Sequence, residues 1–230
     1  MSQVWGKAAV SEHDWRAGWK ASLASSGSVS ILFISLGAFQ ILVRSLNNMD
    51  IFTTRPGGNP LGLLLANAVY DGETNVIAIV LSSAYLFFVT LELQEPKRRL
   101  ASIGYLASLL IVPFVVDIVY VSVGVGLFCK LPCTSAGMSI VATTSMGFVF
   151  MLSLGGLANI IRDFWGLRVS RVGGLVSSLL FLSYLVAILL LLLGAFVSQE
   201  IGVMYVHFAG LRLGAVVGFV IVSLYRPQRV

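Results

Sequence analysis

The chain is short of charge. Of its 230 residues only 11% are Asp, Glu, Lys or Arg, where soluble domains carry about 25%. Hydrophobic residues make up 57% of it, and the mean hydropathy is +0.94. Together these exclude an ordinary soluble domain and point to an integral membrane protein. Cysteine is scarce. Cys129 and Cys133 share one loop, as a short disulfide or as two free thiols. Four metal ligands are nowhere gathered, so neither a zinc site nor any other metal or cofactor is expected. Histidine is equally scarce, because His13 and His207 are the only two. No internal repeat is visible, which removes the usual sign of a secondary transporter. The net charge of +5 does not indicate nucleic acid. The basic residues sit mainly in short loops and tails, where they orient membrane proteins.

What the chain does have is long apolar runs. A membrane-spanning helix needs about 20 mostly apolar residues. Six segments meet this approximately: 28–46, 74–93, 101–123, 138–160, 173–197 and 201–224. The expected fold is an all-α polytopic membrane protein, a six-helix bundle over 28–224. It is preceded by a cytoplasmic or interfacial segment at 1–27 and followed by a cytoplasmic tail at 225–230. Trp15 and Trp19 share a helical face among Lys7, Arg16 and Lys20, which suits an interfacial anchor. The first apolar segment lacks a small-residue cleavage site and is expected to be retained. Lys97, Arg98 and Arg99 follow the second segment, Arg162, Arg168 and Arg171 the fourth, and Arg226 and Arg229 the sixth. With six spans all of these fall on one side with the N-terminal basic residues. The expectation is a multi-pass protein of the cell membrane with both termini cytoplasmic. The connection at 47–73 is long, and its apolar stretch Leu61 to Val69 either dips into the outer leaflet or lies at the surface.

Two spans carry residues that can do chemistry. Gly137-Met138-Ser139 opens the fourth, with Gly147 eight residues after the serine. His207-Phe208-Ala209-Gly210 opens the sixth, with Gly214 and Gly218 at four-residue steps. A serine hydroxyl needs an adjacent base to become a nucleophile, and histidine is the usual one. His207 is the only histidine in a span, and ionisable groups there are functional candidates. Gly210, Gly214 and Gly218 form a ridge without side chains on one helix face, and Ser139, Thr143 and Gly147 recur on another. Packing these faces together brings Ser139 and His207 to one depth, near the outer ends of their helices. Ser135 lies before the helix and Ser145 on a different face, so Ser139 is the better nucleophile. A helix start also offers free N–H groups to a developing oxyanion.

On these motifs the chain resembles the rhomboid family of intramembrane serine proteases with the minimal six-helix core. That family carries Gly-x-Ser with a glycine eight residues after the serine, and His-x-x-Gly-x-x-x-Gly. The resemblance covers about residues 28–224 and rests on Gly137, Ser139, Gly147, His207, Gly210 and Gly214. It implies a Ser–His dyad without a third acid, Ser139 as nucleophile and His207 as general base and then acid. It implies transmembrane protein substrates, cut near their outer ends where small or helix-breaking residues let the helix unwind. The oxyanion would be held by Asn75 and the Ser139 backbone. The chain has Ile140 where many members have glycine after the serine. Asp71 stands four residues before Asn75, where the family commonly has histidine. The Trp-Arg pair frequent in the first outer loop is not evident. These departures leave a second expectation open, a catalytically inactive relative that binds membrane helices as chaperone or adaptor.

Asp117 and Arg212 are expensive in lipid unless paired or wet. Arg212 is expected to reach Asp117 or a backbone carbonyl, with Arg44 a rival partner for Asp117. Tyr105, Tyr120 and Trp165 read as interfacial residues.

Overall fold

The computed structural model describes residues 53–58, 60–68, 73–91, 95–123, 138–165 and 201–224, with the single residues Lys20, Ile31, Ser35, Ala38, Leu182, Val186, Leu189 and Leu193. The expected interfacial segment apart from Lys20, the tail at 225–230, and Asp71, Cys129, Cys133 and Gly137 lie outside the described residues. The regular elements among the described residues are helical. They are α1 (Pro60–Leu65), a 3-10 turn (Ala66–Ala68), α2 (Glu73–Leu91), α3 (Glu95–Val123), α4 (Ser139–Trp165) and α5 (Ile201–Leu224).

Beside a buried hydrophobic core, polar side chains are buried and large apolar ones exposed. Ser82, Ser83, Ser108, Asp117, Thr143, Thr144, Ser145, Ser153 and His207 are buried. Meanwhile Ile103, Leu110, Ile111, Val216 and Phe219 stand open, each more than half exposed. Water would penalise such a surface, and lipid would not. Two stretches, Arg99–Val123 and Met204–Ser223, are long and apolar enough to cross a membrane.

Helix α4 is the hub. Every residue from Met138 to Val149 except Ser139 is buried. α2, α3 and α5 each pack against it, and α3 also packs on α5. The directions follow from particular contacts. Gly210 of α5 abuts Ile140 and Thr143, Gly214 abuts Thr144, and Gly218 abuts Phe148 and Met151. The two helices therefore advance together and run parallel. Gly104 of α3 meets Ile221 near the end of α5, while Val112 and Val116 cluster with Val206 near its start. α3 is thus antiparallel to both. Ser83 and Tyr105 are hydrogen-bond partners at 3.2 Å and lie symmetrically about the connection at 92–94, so α2 and α3 form a hairpin. The starts of α2, α4 and α5 and the end of α3 consequently share one end of the bundle.

Three boundaries and one residue differ from the sequence reading. α3 begins at Glu95, so Lys97, Arg98 and Arg99 lie inside a helix and not in a loop. Pro96 in its first turn suits a helix start, since its missing N–H would have had no partner there. α4 continues to Trp165 and takes in Arg162 and Asp163, because charged residues extend a helix readily beyond its apolar stretch. The connection at 47–73 carries a folded piece. The Thr54 hydroxyl donates to the Gly62 carbonyl at 3.0 Å, and Gly62 lies so close to the Thr53 carbonyl that any side chain would collide. Tyr105 is not interfacial. It is fully buried, with its ring 5.4 Å from that of Phe148 and its hydroxyl against Ser83 and Ser145. A phenol can be buried when its hydroxyl finds partners, and α2 and α4 supply them.

Candidate active site

Ser139 is the first residue of α4. The first bond of that helix runs from the Ala142 N–H to the Met138 carbonyl at 2.9 Å. The N–H groups of Ser139, Ile140 and Val141 therefore have no acceptor within the helix, as at any helix start. The Ser139 carbonyl is engaged, accepting from the Thr143 hydroxyl at 3.0 Å. The side chain of Ser139 is half-buried.

The glycines expected at the helix contact are there. A Cβ on Gly147 would strike the Leu211 carbonyl, and one on Gly214 the Thr144 carbonyl. One on Gly210 would stand 2.6 Å from the Thr143 hydroxyl oxygen and 3.1 Å from the Ile140 carbonyl. These are backbone approaches of the kind that small residues permit between membrane helices. The register they define, carried back one turn, brings His207 to the level of Met138 and Ser139. His207 lies one turn before Gly210 on α5, and Ser139 one turn before Thr143, which Gly210 meets.

His207 is buried, at 4% exposure, and neither ring nitrogen has a hydrogen-bond partner. The expected hydrogen bond from Ser139 is therefore not formed in this state. The Thr144 hydroxyl oxygen, on the same α4–α5 contact, is also buried without a partner. An imidazole has one donor and one acceptor to satisfy when neutral, and buried polar groups without partners are few in native structures. Apo forms of hydrolases often hold their catalytic hydrogen bonds long or misaligned.

Asn75 lies in the first turn of α2, at the same end of the bundle, half-buried and engaged in an interaction of its own. Its neighbour Val76 packs on the cluster that includes Met138, the neighbour of Ser139. Asn75 is thus carried by α2 at the end of the bundle where α4 begins.

Sequence reading missed a second feature of this end. Asn67, in the 3-10 turn, donates its side-chain amide to the Asp117 carboxyl at 2.5 Å, and Asp117 is fully buried. The turn also touches α4. In place of the expected Asp117–Arg212 pairing, Asp117 fastens the folded connection to α3. Arg212, exposed on α5, lies with its guanidinium carbon 5.7 Å from the Phe208 ring centroid. An asparagine in an apolar loop stretch carries no signal of its own, and only the structure shows which carboxyl it meets. Among the described residues no cluster of three metal-binding side chains occurs.

Set beside known proteins, the chain finds no match among family models, curated proteins or solved structures. The functional reading therefore stands on the motifs and on this geometry.

Proposed function

We propose that the chain is an intramembrane serine endopeptidase of rhomboid-like architecture. In this reading it has six spans, cytoplasmic termini and an active site toward the outer face of the cell membrane. The observation that carries it is the common level of Ser139 and His207 on two parallel helices pressed together through Gly147, Gly210 and Gly214. There the first residue of α4 offers a nucleophile and the second turn of α5 a base, in a low-dielectric site. The orphaned His207 ring supports the same reading, because an imidazole without a protein partner is free to accept a proton.

The chemistry then runs as follows. The Ser139 hydroxyl attacks the scissile carbonyl and passes its proton to a His207 ring nitrogen. Free N–H groups at the start of α4 and the Asn75 side chain stabilise the tetrahedral oxyanion. The imidazolium returns the proton to the leaving amine, and water releases the acyl group by the same path. For this, Ser139 and His207 must first close to hydrogen-bond distance, about 2.6–3.2 Å. Substrate entry is the natural trigger. The substrates are membrane-spanning helices that unwind near their outer ends.

One observation favours a second reading, an inactive relative that binds membrane helices. It is the same unmade Ser139–His207 bond. Reconstitution in liposomes with a reporter membrane helix separates the two. The protease cleaves the reporter, and Ser139→Ala and His207→Ala each end cleavage while the fold persists. Cleavage that survives Ser139→Ala rules out the mechanism, and binding without cleavage by the wild type selects the second reading.

A further inference from the structure

Helix α3 is interrupted on its way to the end of the bundle that holds Ser139 and His207. Pro113 lies inside it. A proline there has no N–H to offer the Leu109 carbonyl, and its ring crowds that carbonyl. One turn before Leu109, the Tyr105 carbonyl accepts from the Ser108 hydroxyl at 2.8 Å, a side-chain bond of the kind that bends helices. The ladder of α3 is thus weakened twice between Tyr105 and Pro113. Before that stretch the helix is anchored in the core by Ala101 and Tyr105, both fully buried. The segment beyond it, 114–123, is joined to that anchor through the weakened turns.

This outer segment carries two buried residues side by side, Val116 and Asp117. Val116 packs in one cluster with Val112, Ile140 and Val206. Ile140 follows Ser139 in α4, and Val206 precedes His207 in α5. Asp117 accepts from the Asn67 amide at 2.5 Å. The connection that carries Asn67 has a fastening of its own. The Thr54 hydroxyl holds the Gly62 carbonyl, and the Thr53 carbonyl occupies the space where a side chain on Gly62 would stand. Its 3-10 turn also touches α4. Past Pro113, α3 is therefore held by the connection on one side, and on the adjacent side it meets the chain neighbours of Ser139 and His207.

We propose that α3 hinges at Pro113, and that the Asn67–Asp117 hydrogen bond is the latch that keeps its outer segment against Ile140 and Val206. With the latch made, Val116 packs on both and fixes the spacing of α4 and α5 ahead of Gly210. With it broken, the segment turns about Pro113 and Val116 withdraws. The end of the bundle that carries Ser139 and His207 then loosens, while the Gly147 and Gly214 contacts farther along stay in place. Asn67 and Asp117 are positioning residues for that end. The latch acts in this way whether or not Ser139 is a nucleophile, and its test reads no cleavage.

The test is amide hydrogen exchange of the full chain in micelles, read on fragments by mass spectrometry. Asn67→Ala is expected to speed exchange in 114–121 about tenfold, the scale of one lost hydrogen bond to a buried carboxyl. It also speeds exchange at Ala142, whose N–H makes the first bond of α4, and leaves 100–108 as in the wild type. Asp117→Asn, which keeps an acceptor, exchanges like the wild type. Pro113→Ala restores the missing N–H, so it slows exchange in 114–121 by itself and cancels most of the Asn67→Ala effect. The single Pro113→Ala variant judges the hinge even where Asn67→Ala fails to fold. Exchange in 114–121 that Asn67→Ala leaves unchanged overturns the proposal. So does a loss of protection that spreads equally over 100–108, which makes the bond a general prop of the fold. An Asn67→Ala effect undiminished by Pro113→Ala, or a Pro113→Ala protein that exchanges like the wild type, overturns it as well.

Discussion

Gly214→Ala is the sharpest structural perturbation available. The new methyl would face the Thr144 carbonyl, and that contact is backbone against backbone. Carbon and carbonyl oxygen sit in contact at about 3.3–3.6 Å, and the ideal Cβ falls short of that by about 1 Å. No rotamer relieves the clash, so α4 and α5 must part. Overpacking of this kind costs about 1–3 kcal/mol, and a rigid contact belongs at the top of that range. Alanine returns up to about 1 kcal/mol of helix propensity over glycine, leaving a net loss near 2 kcal/mol. Gly104→Ala is the built-in control. Its methyl meets the end of the flexible Ile221 side chain, which can turn aside. Equilibrium unfolding in mixed micelles should therefore show Gly214→Ala clearly destabilised and Gly104→Ala close to wild type. If the protein is the protease proposed here, a shift of about 1 Å at the site costs on the order of 10²-fold in turnover. A Gly214→Ala protein as stable as Gly104→Ala would refute the packing on which the site depends.

Three further outcomes are expected. Asp117→Leu leaves the Asn67 amide without its acceptor, a loss of about 1–3 kcal/mol; added protease should then cut within 53–68 faster than in wild type, while Asp117→Asn, which keeps an acceptor, should be protected. Tyr105→Phe takes from the buried Ser83 hydroxyl its Tyr105 partner, at about 1–3 kcal/mol in unfolding experiments, while Ser145 already donates to the Ala142 carbonyl at 2.7 Å and is not stranded. Asn75→Ala should lower turnover by about 10²–10³-fold, the usual effect of losing one oxyanion donor, with little change in stability; unchanged turnover would remove Asn75 from the site.

Much of the bundle was legible because its signals are local. The run 201–224 reads as a helix from its apolar length alone, and α5 has those bounds. The glycine ridge predicted a close approach of α4 and α5, since four-residue spacing needs no knowledge of the partner. Helix ends were less legible where charge follows an apolar run. The bounds of α3 and α4 were drawn at the hydropathy edge, yet the helices run through Lys97–Arg99 and through Arg162–Asp163. Pairings between distant segments were not legible at all. Nothing in the composition tells that Tyr105 turns inward to Ser83, or that Asp117 takes Asn67, fifty residues away in the chain, over Arg212. Such choices depend on which helices become neighbours, and a polar residue in an apolar segment shows only that some partner is needed. The Ser139–His207 relation stands between these cases. Its level follows from the glycine register, whereas the absence of a partner on the His207 ring does not.

The most direct measurement is covalent labelling of the full chain in micelles by a fluorophosphonate, which reacts with a serine only when a base activates it. The account predicts one label, at Ser139, lost in Ser139→Ala and strongly reduced in His207→Ala. It also predicts labelling slower in Gly214→Ala than in Gly104→Ala. Absence of label on the folded wild-type protein, or label that persists in Ser139→Ala, would contradict the claim that Ser139 and His207 form a catalytic pair.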